Sequence, residues 1–350
     1  MPRNSIIFYF QDLGGSRFLL PSVMAFIMAS QKARWRLIVH PISEQLFLDG
    51  GIPFEKAAAV FDTLPADRQS LQNYLGGERI SHLVCTTSAR EHDLTNARLI
   101  EAARNVGVPS LGVLDHWKGY TRFLDEHNAP SYMPEHLACI DDTCVGRVSD
   151  LYSKAKLYVV GHPHLERCVW RPLGVGDTCK IVIVSQPEAR DGSFRSVFAQ
   201  SISGRNLVQD IAANVPSTVG GRRTELFFRP HPKDAGVPEL PIDVSIDGNG
   251  DWSDALYKYD FILGFDSMAL IEAALSGRRV AIVGWPSSQN QSDSNIPFPY
   301  GPVLMAAPEL RTEIEQVIEE DQSESSRHPS LNIFNGSTDR LSQLIKKFVN

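Results

Sequence analysis

Three short stretches in the second half of the chain carry residue types that suit an anion. Ser185-Gln186, Arg229-Pro230-His231-Pro232 and Asp266-Ser267 each follow an apolar run. Arg229 offers a planar fork of N–H groups for phosphate oxygens. His231 can donate a hydrogen bond or carry charge beside an anion. Pro230 and Pro232 stiffen its turn and bias it towards extended geometry. Ser267 stands at the N-cap of an expected helix beginning at Met268. A helix N-terminus presents free N–H groups and the positive end of a dipole. Glu272, early in that helix, is a candidate for ribose hydroxyls. The first half holds fewer such groups. Asp115-His116-Trp117 offers a carboxylate and an imidazole, Asp12 precedes Gly14-Gly15, and His162 and His164 stand two residues apart. Such a His pair suits a metal in a strand, but no acidic or Cys partner is close in sequence. It is read as hinge or cleft lining, and no metal is expected.

These groups act together only if the chain brings them to one edge. Short apolar runs without strict alternation, separated by helical periodicity, predict parallel strands covered on both faces. In the first half the expected strands are Ser5–Phe10, Arg36–His40, His82–Thr86, Pro109–Leu114, Leu137–Ile140 and Lys156–Val160. Helices are expected over Leu19–Ser30 and Leu94–Asn105, and Leu151–Lys154 belongs to another. In the second half the strands are Lys180–Val184, Thr224–Phe228, Asp243–Ile246, Asp260–Leu263 and Arg279–Val283. Helices are expected over Ser196–Asn214, with Gly204 a candidate break in it, and over Trp252–Lys258, Met268–Ser276, Glu309–Glu320 and Asp339–Phe348. Trp285–Pro302, rich in Ser, Asn, Gln and Pro, reads as a long loop. The expected fold class is α/β. Two Rossmann-like doubly wound domains, 1–164 and 178–350, face a cleft and are joined by a linker over 165–177. The last helix is allowed to pack back on the first domain. In such sheets ligands sit beyond the carboxyl ends of the strands.

Composition limits the function classes. The chain has 350 residues, 43% hydrophobic and 21% charged, with a formal net charge of −7. That length fits two domains, the balance excludes wholesale disorder, and the negative charge argues against gripping a nucleic-acid backbone. Five cysteines form no CxxC pair, so neither a disulfide framework nor a zinc site is expected. No signal-peptide pattern or apolar stretch of about 18 residues is present. A cytoplasmic protein is expected, with a peripheral contact at the inner membrane face left open. No strong basic amphipathic helix stands out to make that contact.

The Arg-Pro-His-Pro turn at 229–232, followed by a Ser-led helix containing Glu272, resembles GT-B glycosyltransferases. The resemblance extends to bacterial sialyltransferases and polysialyltransferases, through His231-Pro232 and Ser267. It extends also to CDP-glycerol and capsule-polymer transferases, through Arg229–Pro232. Val184-Ser-Gln-Pro187 and Asn335–Arg340 add to it. It covers the second half well and the first half loosely, where the acidic motif of the sialyltransferases has no clear counterpart. The resemblance implies that His231 and Ser267 contact a nucleotide phosphate. It also implies an inverting, metal-independent transfer without cofactor. A sugar such as a sialic-acid relative would pass from a CMP-linked donor to a hydroxyl of a glycan or glycoprotein, in surface-polysaccharide synthesis. A glycolipid acceptor is the alternative that would call for membrane contact. Ser185, Gln186, Arg229, His231, Pro232, Asp266, Ser267, Met268 and Glu272 are then the nucleotide-binding candidates. Such a transfer needs a base for the acceptor proton. Asp115 is the first choice, His116 the second and Asp12 the third. Gly14 and Gly15 would bring backbone close to a sugar or form an ordinary turn. Trp117 and Tyr120 would stack on a sugar face or pack between helices. Two alternatives remain on the same fold: a UDP-sugar 2-epimerase, and a non-catalytic sugar-nucleotide-binding assembly partner.

Overall fold

In a computed structural model of the chain the residues described are 5–30, 33–88, 93–117, 119–152, 154–172, 176–190, 193–199, 201–202, 204–248, 250–265, 267–284, 303–305, 311–312 and 334–350. Contacts divide them into unit 1, Met1–Arg167 with Asn332–Asn350, and unit 2, Cys168–Leu331. The expected loop 285–302 lies outside the described residues, as does nearly all of the expected helix 309–320.

Unit 1 alternates strands and helices in the order β1 (Ser5–Phe10), α1 (Leu13–Ala29), β2 (Arg34–Val39), α2 (Pro41–Asp49), β3 (Glu55–Lys56), α3 (Ala57–Phe61), α4 (Arg68–Gly77), β4 (Ile80–Cys85), α5 (Thr95–Asn105), β5 (Ser110–Val113), β6 (His136–Cys139), α6 (Asp142–Leu151) and β7 (Lys156–Val159). Its sheet runs β3-β2-β1-β4-β5-β6-β7, and every neighbouring pair is parallel. β1 is apolar throughout its length because both faces are covered, and Ile7 to Phe10 are wholly buried.

Unit 2 holds β8 (Thr178–Val184), β9 (Pro187–Arg190), β10 (Ser193–Ser196), β11 (Ser201–Ile202), β12 (Arg205–Asn206), α7 (Leu207–Asn214), β13 (Thr218–Val219), β14 (Arg222–Arg229), β15 (Val244–Ile246), α8 (Trp252–Ala255), β16 (Phe261–Gly264), α9 (Met268–Leu275), β17 (Arg279–Gly284) and β18 (Val303–Met305). The main sheet runs β14-β8-β16-β17-β18. β15 pairs parallel and β13 antiparallel with β14. Unit 1 thus has the order 3-2-1-4-5-6-7, and the six parallel strands of unit 2, numbered among themselves in chain order, have 3-2-1-4-5-6, which places a topological switch point between β1 and β4, and between β8 and β16.

Two expectations need correction. Ser196–Asn214 is not one helix. Gly204 takes a left-handed φ of +84° that breaks it, and α7 begins only where Asn206 and Gln209 form a reciprocal capping box. α1 begins earlier than expected, because Asp12 caps it and the two glycines form its first turn. The division between the units falls inside the expected linker 165–177, whose described residues bind within their own units. Leu165–Arg167 forms a turn of 3-10 helix in unit 1. In unit 2, Arg171 N–H donates to Ser276 O (3.2 Å), and Tyr257 OH donates to Val169 O (2.6 Å).

The closing helix α10 (Ser337–Val349) belongs to unit 1 and packs on α1. Glu166 holds its N-terminal end. One carboxylate oxygen accepts from Gly336 N–H (2.5 Å), the other from Thr338 N–H (2.8 Å) and Oγ1–H (2.7 Å). Burial alone would raise the Glu166 pKa, but these bonds outweigh it and hold the group below its ordinary value. Glu166→Ala should therefore cost about 1–3 kcal/mol. Hydrogen exchange of the α10 amides should quicken selectively; unchanged protection there would contradict the assignment. Among the described residues no helix is long and apolar enough to cross a membrane.

Candidate active site

The strand register of unit 2 brings its three junctions side by side. Val184 stands opposite both Arg229 and Gly264, so Ser185, Pro230 and Phe265 leave the sheet at one level. Asp234 ties two of them together. Its Oδ2 accepts from Ser185 Oγ (2.5 Å) and from His231 N–H (2.8 Å), while its Oδ1 is buried without a hydrogen-bond partner. Ser185 is thus wholly buried and braces the turn, and Gln186 O accepts from Val197 N–H (2.8 Å). Pro232 is exposed at the tip.

His231 keeps a defined tautomer. Its Nδ1 accepts from Lys233 N–H (3.1 Å), which leaves Nε2–H as the ring's donor. Burial pushes its pKa down against the pull of Asp234. A neutral donor of this kind can meet a phosphate oxygen without first gaining a proton. Ser267 caps α9, with Ala269 N–H donating to its Oγ (3.3 Å), and Met268 opens the helix, half-buried. Glu272 is buried at 7% exposure. After burial itself, its charge is the next cause pushing the Cys168 thiol up to about 12. Asp266 lies outside the described residues.

The free Arg229 fork is corrected. Nη1 donates to Asp247 Oδ2 (2.7 Å), Nη2 donates to Gly250 O (2.6 Å), and the guanidinium lies 5.3 Å from the Trp252 ring centroid. Its side chain is 13% exposed. The cause is topological. β15 runs parallel to β14 and ends just before Asp247, so strand pairing delivers a carboxylate to the arginine.

Unit 1 gathers a second group of polar residues at the carboxyl ends of its strands. Asp12, after β1, accepts from Gly15 N–H (2.6 Å) and Ser88 Oγ–H (2.7 Å). Behind it Gln11 is fixed by Thr86, Asp93 and Asn96. Asp115, after β5, has Oδ1 3.1 Å from Arg122 Nη1. A Cβ on Gly14 would lie 2.9 Å from Asp115 Oδ2, and one on Gly15 would lie 2.9 Å from Thr86 Cβ. The glycines thus make room for the chain's own Asp115 carboxylate and the β4 loop, where a sugar was one expectation.

Asp115 is 13% exposed and its carboxyl is pushed up to about 6. Burial is the main cause and the nearby Asp12 charge adds to it, while Arg122 opposes both. A carboxylate with such a pKa is mostly ionised at pH 7 and can still take a proton in a reaction. His162 supports the same loop. Its Nδ1 accepts from Leu165 N–H (3.3 Å) and its Nε2–H donates to Asp115 O (3.2 Å). Both ring nitrogens are engaged, which removes the lone pair a metal would need. Among the described residues no cluster of three or more His, Cys, Asp or Glu could hold a metal ion.

The two aromatic candidates pack inside unit 1. Trp117 is 1% exposed and its indole N–H donates to Asp141 Oδ2 (2.6 Å), the residue that caps α6. The half-buried Tyr120 donates to Cys144 Sγ (3.7 Å), with Arg147 5.8 Å from its ring centroid. Core packing therefore accounts for Trp117 in place of sugar stacking, while Tyr120 is half-buried with its ring beside Arg147. His116 is half-buried beside Trp117. The residues missed in the sequence are Ser88, Arg122, Asp234 and Asp247. Asp234 was signalled by standing two residues after the Arg-Pro-His-Pro turn. Asp247 had no local signal, since it meets Arg229 only through strand pairing.

No protein-family model matches the chain, and no curated protein sequence matches it. Solved structures do. UDP-GlcNAc 2-epimerase from Neisseria meningitidis, bound to UDP-GlcNAc, matches with a TM-score of 0.63 at 11% identity, over 98% of this chain and 99% of that one. UDP-GlcNAc 2-epimerase from Methanocaldococcus jannaschii gives 0.62 at 10% identity, over 98% and 99%. MurG from Acinetobacter baumannii gives 0.53 at 14% identity, over 98% and 99%. The chain therefore has the GT-B fold, built from two parallel-sheet α/β units.

The Asp115 environment predicts a pH-dependent stability. A group that binds its proton more tightly when folded costs stability as pH rises from the unfolded pKa near 4 to the folded value of about 6. The cost is on the order of 3 kcal/mol once both states are ionised. Asp115→Asn should consequently be more stable than the parent at pH 8 and equal to it below about pH 4. Denaturant titrations at the two pH values check this, and a variant weaker than the parent at pH 8 would contradict the burial account.

Proposed function

We propose that this chain is a nucleotide-sugar-dependent enzyme, an inverting glycosyltransferase, with nucleotide-binding groups carried on unit 2 and an acid–base group carried on unit 1. The observation that carries this reading is Asp115: a carboxylate at a strand's carboxyl end with its pKa raised to about 6. The acceptor hydroxyl would give its proton to Asp115 as its oxygen bonds the anomeric carbon. The nucleotide would leave with the electrons of the broken C–O bond. His231 Nε2–H and the N-terminus of α9 would meet the developing phosphate charge.

The expected donor is a CMP-linked acidic sugar of the sialic-acid kind, and the acceptor a hydroxyl of a glycan or glycolipid. The donors assigned to the nucleotide, the His231 imidazole N–H and the N-terminus of α9, suit a single phosphate, while Arg229 is committed to Asp247. A second reading, epimerisation of a UDP-sugar, is favoured by one observation. The two UDP-GlcNAc 2-epimerases named above give TM-scores of 0.63 and 0.62, against 0.53 for MurG.

A thermal-shift panel of CMP, CDP, UDP, GDP and ADP tests the donor. A ligand at about 100 times its Kd stabilises by about 2.7 kcal/mol. The expected result is selective stabilisation by CMP, lost in His231→Ala. Selective stabilisation by UDP, with an epimerised sugar formed in the absence of acceptor, would favour the second reading. No response to any nucleotide would overturn both. With a working donor, His231→Ala should lower turnover on the order of 10²–10³-fold without lowering Tm.

A further inference from the structure

Arg122 is bound from three directions. Its Nη1 donates to the Thr87 carbonyl and lies 3.3 Å from Thr87 Oγ1, its Nε donates to Gly119 O (3.0 Å), and Nη1 also reaches Asp115 Oδ1 at 3.1 Å. The side chain is 9% exposed. Each anchor is itself fixed. Thr87 follows β4 and its hydroxyl donates to Val113 O (2.6 Å) at the end of β5, which ties two strand ends together. Gly119 has a left-handed φ of +69°, and a Cβ there would meet Arg122 Nη2 at 3.0 Å and Nε at 3.3 Å. Only glycine both turns the chain at that point and leaves the guanidinium its place.

Among the described residues, four groups stand against Asp115. Asp12 approaches from the start of α1, His116 is its neighbour in the loop, His162 donates to its backbone carbonyl, and Arg122 meets its carboxylate. Among these, Arg122 is the permanent cation. We propose that Arg122 is the positioning residue of the acid–base group, fixing where the Asp115 carboxylate sits and the pH range in which it is ionised, with Gly119 as the residue that admits it. This rests on the reading of Asp115 as that group.

The sign follows from charge. A cation at hydrogen-bond distance favours the ionised carboxylate. Its removal leaves burial and Asp12 unopposed and drives the Asp115 pKa higher, so less of the base is ionised at neutral pH. Lysine restores a charge but not the planar group whose Nη1 meets Thr87 and Asp115 while its Nε meets Gly119.

The test is a carboxyl-carbon NMR titration of Asp115 in the full chain, for the parent and for Arg122→Gln, Arg122→Lys and Asp12→Asn. Arg122→Gln should raise the midpoint by about one unit or more. Arg122→Lys should raise it less, and Asp12→Asn should lower it. With a working donor, the acid limb of the pH profile of kcat/KM should move up in Arg122→Gln by the same amount. Should Arg122→Gln fail to fold, Gly119→Ala provides the second variant, because its methyl would lie 3.0 Å from Nη2 and 3.3 Å from Nε, forcing the guanidinium to give way, and should raise the midpoint in the same sense. A midpoint unmoved or lowered in a folded Arg122→Gln or Gly119→Ala protein overturns the inference. Full turnover by Asp115→Asn would instead overturn the functional reading and leave the titration result standing.

Discussion

Parallel strands that return through helices must all end at the same edge of their sheet, and the polar chemistry of this chain depends on that constraint. In unit 2 the registers of β8, β14 and β16 end level, so Ser185, the Arg229–Pro232 turn and the cap of α9 emerge together although up to 82 residues separate them in sequence. In unit 1 the same constraint aligns the ends of β1, β4 and β5, which brings Asp12, Thr87 and Ser88, and Asp115 into one polar cluster. Burial at these edges then sets the chemistry. A carboxylate partly withdrawn from water beside a second carboxylate resists ionisation, and a neighbouring guanidinium limits how far that goes.

Much of the polar surface at both edges is committed to the chain's own loops. Asp234 braces Ser185 and His231, Asp247 holds Arg229, Ser88 holds Asp12, and Arg122 holds Asp115. Internal bracing of this kind fixes geometry before any ligand arrives, which is what electrostatic preorganisation requires. Under the proposed function the chemistry falls on the groups left over: the Nε2–H of His231, the N-terminus of α9 and the carboxylate of Asp115.

The parallel sheets were legible in the sequence because strands buried on both faces must be continuously apolar, as Ile6–Phe10 and Ile181–Val184 are. The strand-end rule then pointed to Asp12, Asp115, His231 and Ser267 without any coordinates. Side-chain commitments were not legible. Whether Arg229 is free depends on Asp247, which arrives by the pairing of β14 with β15. Trp117 looked available for stacking because its loop follows a strand, yet Asp141 at the start of α6 draws its indole inward. The misreading of 196–214 has a local cause. Gly204 and the Asn206 cap were visible, but the short hairpins before them have no period long enough to announce strands. α2 was overlooked although Pro41 at its first turn is a recognised start signal.

The most direct test of the central claim is turnover of a nucleotide sugar by Asp115→Asn at pH 7, measured beside its affinity for the nucleotide alone. If Asp115 moves the proton, turnover falls on the order of 10²–10⁴-fold while the nucleotide binds as tightly as before, because unit 2 is untouched. Turnover within a few-fold of the parent, in a variant that binds nucleotide normally, would contradict the assignment of acid–base chemistry to this carboxylate.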